Sequence, residues 1–452
     1  TSLWTGPPNK WTIFVGAGIS APSGIPPVAP LCSSILSGLG TSDTGSALLL
    51  EAGLPFELWL ETLRERVDLS TLLGVFEAAS PNFYHYSIAS LVAAGQVRTV
   101  VTTNYDTLLE QALDQLGLQQ KDDFDVYYDP QGFAAIDWDS SKPRLLKLHG
   151  SIVDLDSVYA TLSQVASREY LGAISPTVRV IFGGGQHERV LVMGYSCSDH
   201  FDISPAIRSL GPELHDVLLI EHADCRRSDW RMSPLATATA RYPFGSASNG
   251  HLVHAQTDLL LAEAFEGHPG LLKAIRKRWS GRPEGEWRTT LEDWLRTSGL
   301  ATSKSLKLHV LGRLLIRANR YDQARASFEK SLQAAEREAD QSLIAQAKLN
   351  LGICHYRLGM FTSALRIQRA ALKDAHRWGM TKLEGQSLGN IGNVHYSANR
   401  LVLALRFQNQ CLEFARRHNL EQLEANTLGN IGIVLEKQGK YAEARAFNRQ
   451  AE

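Results

Sequence analysis

Cysteine is scarce in this chain. Cys32, Cys197, Cys225, Cys354 and Cys411 are all it has in 452 residues, and no two lie close enough to form a Cys-x-x-Cys pair. Neither a zinc ribbon nor a disulfide framework is expected, and no metal site. An odd, scattered set fits a reducing cytosol, so a cytoplasmic protein is expected. An excess of either charge is missing too: 46 Lys and Arg face 47 Asp and Glu, for a formal net charge of −1. That leaves no basic footprint for nucleic acid and no acidic tail for a basic partner. No apolar run reaches the roughly 18 uninterrupted residues that suggest a membrane helix. Thr1-Ser2-Leu3-Trp4 offers neither a methionine nor a signal-peptide pattern, as in a trimmed chain. What remains, with 44% hydrophobic and 21% charged residues, is the composition of a globular chain with a mixed, solvated surface.

The length is too great for one ordinary domain and points to two or three. The first part alternates strand-like and helix-like segments. Short apolar runs at Thr12–Val15, Val97–Thr102, Arg144–Leu148, Val190–Met193, Val217–Ile220 and His251–His254 are each four to six residues long, and most are bounded by glycine or polar residues. Such runs, mixed with helical stretches, predict a buried parallel sheet flanked by helices, an α/β fold. The stretch from about Leu31 to Ala93 carries apolar residues at helical spacing and is too long for a simple crossover, so a small helical subdomain over the sheet is expected. From Gly281 to Ser303 the chain turns polar, although Trp279, Trp287 and Trp294 argue that part of it packs. The expected division is residues 1–276, a linker at 277–302, and residues 303–452.

The last part repeats. Gly312, Gly352, Gly392 and Gly432 lie 40 residues apart, each preceded by Leu or Ile. Seven residues beyond each stands Asn319, Gly359, Asn399 or Gly439, the residue types that tolerate a left-handed helix end. Then come Tyr321, Phe361, Leu401 and Tyr441, and after them Ala324, Ala364, Ala404 and Ala444. Four columns in phase read as helix, tight turn, helix. Small residues at the crossing let the pair approach, and units stack because one alone cannot bury its apolar face. The array resembles the tetratricopeptide repeat family in a 40-residue form. The last unit stops inside its second helix, so the natural protein is expected to continue.

Four motifs follow strand-like runs: Gly16-Ala17-Gly18-Ile19-Ser20, Thr102-Thr103-Asn104-Tyr105-Asp106, Leu148-His149-Gly150-Ser151, and Gly194-Tyr195-Ser196 with Asp199 behind it. Each has a plain structural alternative. A Gly-x-Gly loop can be a tight turn with no ligand, and this one lacks a clean Gly-x-Gly-x-x-Gly. Asn104 or Asp106 can cap the helix that begins near Leu108. His149 can be a hydrogen-bonded structural residue, and the last motif a polar loop. Carboxyl ends of parallel strands are also where open α/β sheets bind ligands.

In order and content the four motifs resemble the sirtuin superfamily over roughly residues 10–265, in particular the sirtuin-like domains of bacterial anti-phage defence proteins. The resemblance implies a Rossmann-like domain that takes NAD as substrate. Gly16, Ala17, Gly18 and Ser20 would hold the NAD phosphates, and Asn104 and Asp106 would sit near the nicotinamide ribose. His149 would be the catalytic base. Gly194, Tyr195 and Ser196 would line the adenosine side, and Glu221 could accept from a ribose hydroxyl. Two departures count against deacetylation: Gly24-Ile25-Pro26 is not followed by Phe-Arg, and the four-cysteine zinc module is missing. The expected activity is therefore NAD hydrolysis as an immune effector. A protein or peptide trigger would act on the repeats, and self-association would follow from the solenoid. A deacylase, an ADP-ribosyltransferase and a non-catalytic NAD or ADP-ribose sensor remain as alternatives.

Overall fold

The computed structural model describes residues 11–77, 79–183, 189–214, 216–238, 241–279 and 286–451, which divide into two units. The first comprises residues up to Ser34 together with Pro55–Trp294. It holds one eight-stranded sheet built from β1 (Trp11–Val15), β2 (Val97–Thr102), β3 (Asp125–Tyr127), β4 (Arg144–Lys147), β5 (Arg189–Met193), β6 (Asp216–His222), β7 (Arg231–Pro234) and β8 (His251–Ala255). The spatial order is β3-β4-β2-β1-β5-β6-β8-β7. Every neighbouring pair is parallel except β7 with β8. The sheet is thus mostly parallel, as the apolar runs predict, with β7 as an antiparallel edge strand.

Successive side chains of a strand point to opposite faces, and here each face has its own core. Ile13, Val15, Val100 and Leu145 join Ile88, Ala89 and Val92 of the helix Phe83–Ala93 on one side. Phe14, Val101, Leu146 and Val192 join Tyr170, Ile174 and Val178 of the helix Arg168–Phe182 on the other. Covered on both faces, the central strands read as unbroken apolar runs. The two strands with no such run escape sequence reading. β3 is three half-buried residues at one edge, and β7 is largely exposed at the other, ending in Pro234. The helical stretch expected between Leu31 and Ala93 contains five helices. Its residues Ile35–Leu54 group with the second unit, while Phe83–Ala93 is the crossover between β1 and β2. Residues 280–285 of the expected linker lie outside the described residues. Beyond them runs the helix Glu286–Thr297, whose Trp294 donates its indole N–H to Asp68 O at 2.8 Å.

The second unit consists of Ile35–Leu54 and the chain from Leu295 onward. Eight helices follow one another: Lys304–Arg317, Tyr321–Glu338, Gln341–Arg357, Phe361–Arg377, Thr381–Ser397, Leu401–Arg417, Glu421–Lys437 and Tyr441–Ala451. Asn319, Gly359, Asn399 and Gly439 all take positive φ at the turns inside the pairs, as their residue types predict. Ala339, Gly379 and Asn419 do the same between pairs, a second turn column that alanine at its first position conceals in the sequence.

The glycine column has a specific cause. A side chain 16 residues further on, in the second helix of the same pair, wedges against each glycine. Phe328 faces Gly312, Gln368 faces Gly352, Gln408 faces Gly392 and Asn448 faces Gly432. A Cβ on Gly312 would meet three carbons of the Phe328 ring at 2.7 to 2.9 Å, closer than any real contact. Phe328 is fully buried and cannot swing aside. Gly312→Ala is therefore expected to destabilise the repeats by about 1–3 kcal/mol through overpacking. In thermal unfolding of the full chain, Gly429→Ala, where open space surrounds the glycine, should leave the midpoint nearly unchanged.

Candidate active site

In the sheet order β1 lies between β2 and β5, so the chain winds outward in both directions from this point. Loops at the carboxyl ends of strands diverge there and leave a crevice. The four motifs are the loops after β1, β2, β4 and β5, and all lie in the first unit.

The first and last interlock through backbone alone. Gly16 N–H donates to Met193 O at 3.2 Å, and Gly18 N–H donates to Gly194 O at 2.9 Å. A Cβ on Gly16 would meet Gly194 O and Tyr195 Cα at 2.7 Å, and one on Gly18 would meet Gly194 Cα at 2.8 Å. Gly194 itself has φ +63°, and a Cβ there would strike Ile19 N at 2.7 Å. These glycines are required for loop-on-loop contact. Ile19 and Ser20 also spend their amides inside the loop, on Gly16 O and Ala17 O. The part of it that faces outward is Ala17 and Gly18.

Ser20 points the other way and is fully buried. Its Oγ donates to Asp106 Oδ2 at 2.8 Å, accepts from Asn104 Nδ2 at 3.0 Å, and lies 3.2 Å from His85 Nε2. Asn104 Nδ2 also donates to Gly16 O at 3.3 Å, while its Oδ1 is buried without a hydrogen-bond partner. Asp106 does act as a cap, because its Oδ1 accepts from Leu108 N–H at 3.1 Å. Burial raises its pKa against the opposing pull of Lys147. The loop after β2 is clamped from β4 by Lys147, a fully buried cation. Its ammonium donates to Asp106 O at 2.6 Å, Glu110 Oε1 at 2.7 Å, Ser151 Oγ at 2.9 Å and Tyr105 O at 3.3 Å.

His149 leaves the end of β4 and pairs with Asp202, Nε2 to Oδ2, at 2.9 Å. Tyr170 donates its hydroxyl to the same Asp202 oxygen at 2.8 Å. Burial disfavours the charged imidazole, but the Asp202 carboxylate, with Asp199 and Glu57 behind it, outweighs burial and pushes the pKa up to about 9. Asp202 is correspondingly held low by His149, against its own burial. Asp199 is raised to about 7 by burial and by the Asp202 charge. Its Oδ1 accepts from the Tyr195 and Ser204 hydroxyls, and its Oδ2 is buried without a partner. Among the described residues, His149, Asp199 and Asp202 form the one group whose ligand atoms, all within 4.8 Å of one another, could hold a cation.

Two expected residues are occupied by the protein itself. Glu221 Oε1 accepts from Tyr242 at 2.9 Å and from Arg241 at 2.5 Å, and its Oε2 pairs with His254 at 2.8 Å. Ser196 is exposed and bonds Ser198 at 2.7 Å. Sequence reasoning missed Asp202, Tyr170, His85 and Asn82, which stand outside the four motifs or beyond their ends.

Residues 98–216 match the SIR2-like domain family, and residues 304–375, 343–417 and 383–452 match the tetratricopeptide repeat. The chain joins a SIR2-like domain to C-terminal tetratricopeptide repeats. The first match contains Asn104, Asp106, His149 and Gly194–Ser196. SIR2-like domains bind NAD, and such a domain points to NAD-dependent enzymatic activity. No curated protein matches the chain. Solved structures similar to it include BtubC (BKLC) from P. vanneervenii, 21% identical over 42% of this chain and 78% of that one, with TM-score 0.31. The apo form of RapI is 14% identical over 42% and 81%, with TM-score 0.28. Aspartyl phosphate phosphatase F from Bacillus subtilis is 15% identical over 43% and 55%, with TM-score 0.32. Among the described residues no helix is long and apolar enough to cross a membrane.

Because Asp202 outweighs burial at His149, its removal has a definite sign. In Asp202→Asn the His149 pKa should fall from about 9 to its ordinary 6.5 or below. Histidine NMR titration reads this directly, and a pKa still near 9 would show that Asp202 is not the cause. The same linkage makes the pair stabilising in full between the ordinary values of Asp202, 3.8, and His149, 6.5, with its contribution lost as pH rises through about 9 and again in acid as Asp202 takes up a proton.

Proposed function

We propose that the SIR2-like domain hydrolyses the nicotinamide–ribose bond of NAD, with Asn104 and His149 as its catalytic side chains and Asp106 as their support. The observation that carries this reading is the buried, unpartnered Oδ1 of Asn104 at the end of β2, beside the strand that carries His149. A buried acceptor without a donor is costly unless a ligand supplies one. A water or a ribose hydroxyl fits that need.

The bond to nicotinamide has a cationic leaving group that departs neutral, so no general acid is required, unlike an ordinary glycoside. Water adds to the ribose carbon, nicotinamide leaves with the bonding electrons, and one proton must be removed. Asn104 Oδ1 orients the hydroxyl or water, and His149 takes the proton. With Nε2 spent on Asp202, the nitrogen available for that task is Nδ1. Ala17 and Gly18, the outward part of the first loop, would face the phosphates, with Gly16 and Ser20 holding the loop in place behind them. Gly194, Tyr195, Ser196 and Glu221 would serve the adenosine side, Glu221 once it releases Arg241.

The repeats, taken as residues 303–452 after a linker at 277–302 and a catalytic part at 1–276, would receive a protein or peptide trigger. Within them a groove of about 630 Å³ is lined by Asn350, Gln386, Asn390, Asn393, Asn426 and Asn430. Side-chain amides carry the same donor and acceptor as a peptide bond, which suits an extended chain. An NAD hydrolase idles until triggered, in keeping with a cytoplasmic anti-phage effector that self-associates.

The decisive measurement is product analysis after incubating the full chain with NAD. Nicotinamide and free ADP-ribose alone are expected. An acylated or protein-linked ADP-ribose would indicate a deacylase or transferase, and NAD bound intact would indicate a sensor. Asn104→Ala and His149→Ala should each abolish NAD loss while leaving the fold intact, with a lowered thermal midpoint in His149→Ala, which leaves the Asp202 charge unpaired, and full turnover in both would remove them from the mechanism. Since His149 is mostly imidazolium below about pH 9, kcat/KM should rise with pH toward that value; a profile flat from pH 6 to 9 would exclude it as the base.

A further inference from the structure

Three side chains from two places in the chain converge on the Ser20 hydroxyl: His85 from the helix Phe83–Ala93, and Asn104 and Asp106 from the loop after β2. All four residues are buried, His85 and Ser20 completely. The direction of every bond can be worked out. The Asn82 backbone N–H donates to His85 Nδ1 at 3.1 Å, so Nδ1 carries no proton. Burial holds the imidazole neutral, with its pKa down to about 3, so the one ring proton sits on Nε2. That proton points to Ser20 Oγ at 3.2 Å. Ser20 thus accepts from His85 and from Asn104, and its own proton is left for Asp106 Oδ2.

The orientation of Asn104 follows. Its Nδ2 faces Gly16 O, which can only accept, so a turned-over amide would set two oxygens against each other. With both N–H groups used on Gly16 and Ser20, Oδ1 is the end left free. Asn82 ties the same helix start to the glycine loop by donating its Nδ2 to Ile19 O at 2.7 Å.

We propose that His85 is a positioning residue: its Nε2–H holds the Ser20 hydroxyl turned to Asp106, and Ser20 in turn holds the Asn104 amide with its oxygen toward the substrate. The inference rests on the hydrolase reading for its effect on rate, and on geometry alone for the arrangement of hydrogen bonds. Without a donor at position 85 one lone pair of the buried Ser20 hydroxyl is left unmet, so the side chain is free to turn about its Cα–Cβ bond away from Asp106 and from the Asn104 amide that it holds.

His85→Gln and His85→Leu separate this from a packing role. The oxygen and nitrogen of a glutamine amide are spaced like the two imidazole nitrogens, and glutamine is a regular partner at the third position of a capping box. His85→Gln should keep kcat within about threefold of the parent. His85→Leu should lower kcat by about 10- to 100-fold, the scale of a small misplacement at a reacting centre, with KM for NAD within about threefold. Ser20→Ala, which leaves the helix cap intact, should match His85→Leu, and the double variant should be no worse than either. Full kcat in His85→Leu, equal losses in the Gln and Leu variants, or multiplying losses in the double variant would overturn the proposal. If His85→Leu does not fold, Ser20→Ala in the parent and in His85→Gln decides, with the same loss expected in both. Absence of NAD loss in the parent protein would instead refute the hydrolase reading. The positioning claim is then judged by NMR exchange of the Asn104 side-chain amide protons, slow in the parent and in His85→Gln and fast in Ser20→Ala. Unchanged protection in Ser20→Ala would overturn it.

Discussion

The carboxyl end of the sheet is held together by two loops that touch through their main chains. Gly16 and Gly18 after β1 press against Gly194 after β5 at distances where a single methyl group on any of the three would collide with backbone. Backbone cannot yield as a side chain can, so this approach fixes where β1 delivers its next residues. Ile19 and Ser20 are thereby turned inward, away from the exposed Ala17 and Gly18. From that inward turn follow the Ser20 hydroxyl's place under the β2 loop, the anchoring of Asn82 on Ile19 O, and the setting of Asn104 against Gly16 O. A Gly-x-Gly loop is usually read for its closeness to a phosphate. Here the glycines serve a protein-on-protein fit, which turns Ala17 and Gly18 outward.

Buried polar groups in this unit fall into two kinds. Lys147 is surrounded by four acceptors, and Asp202 receives both His149 and Tyr170; each is a closed structural device. Several acceptors are buried and open, Glu57 Oε2 and Glu110 Oε2 among them, and in the loops after β2 and β5 these are Asn104 Oδ1 and Asp199 Oδ2. Folded proteins leave few such atoms unsatisfied, and each that remains calls for a reason. Both lie in loops at the carboxyl ends of strands flanking the switch point, where open α/β sheets bind their ligands.

Much of this was legible in the sequence, and the reasons are physical. Central strands buried on both faces cannot hide their apolar runs, so six of the eight stood out. β3 and β7 lack them because an edge strand needs neither face covered. The repeat columns were visible because glycine and asparagine mark left-handed turns, while Ala339, in the same conformation, gave no sign. The reason for the glycine column was not visible, since its partners differ in kind: Phe328, Gln368, Gln408 and Asn448. At the site, the residues read from the sequence are those on short loops next to strands. His85 sits in a helix whose neighbours are nearly all apolar or small, 65 residues from Ser20, and histidine is not the Glu or Gln that signals a capping box. Asp202 lies three residues past the last motif, and only the fold brings it to His149, 53 residues away.

The two halves of the site are built on opposite electrostatic plans. Around Asn104 the hydrogen bonds come from neutral donors: a serine, an amide, and an imidazole that burial keeps uncharged down to about pH 3. Beside them stands Asp106, whose carboxyl burial raises against the pull of Lys147. Around His149 the ordering is by charge, with Asp202, Asp199 and Glu57 crowding carboxylates round one imidazole and moving both it, to about 9, and Asp199, to about 7, toward neutral or alkaline pH. Burial also raises the Glu57 carboxyl on this side. A site so divided fixes Asn104 by hydrogen bonds to a hydroxyl and a carbonyl, and His149 by the charge of Asp202. The two groups moved to about 9 and about 7, His149 and Asp199, thus lie in the loops after β4 and β5, whereas the β1–β2 side holds a histidine that burial keeps neutral beside a carboxyl that burial raises.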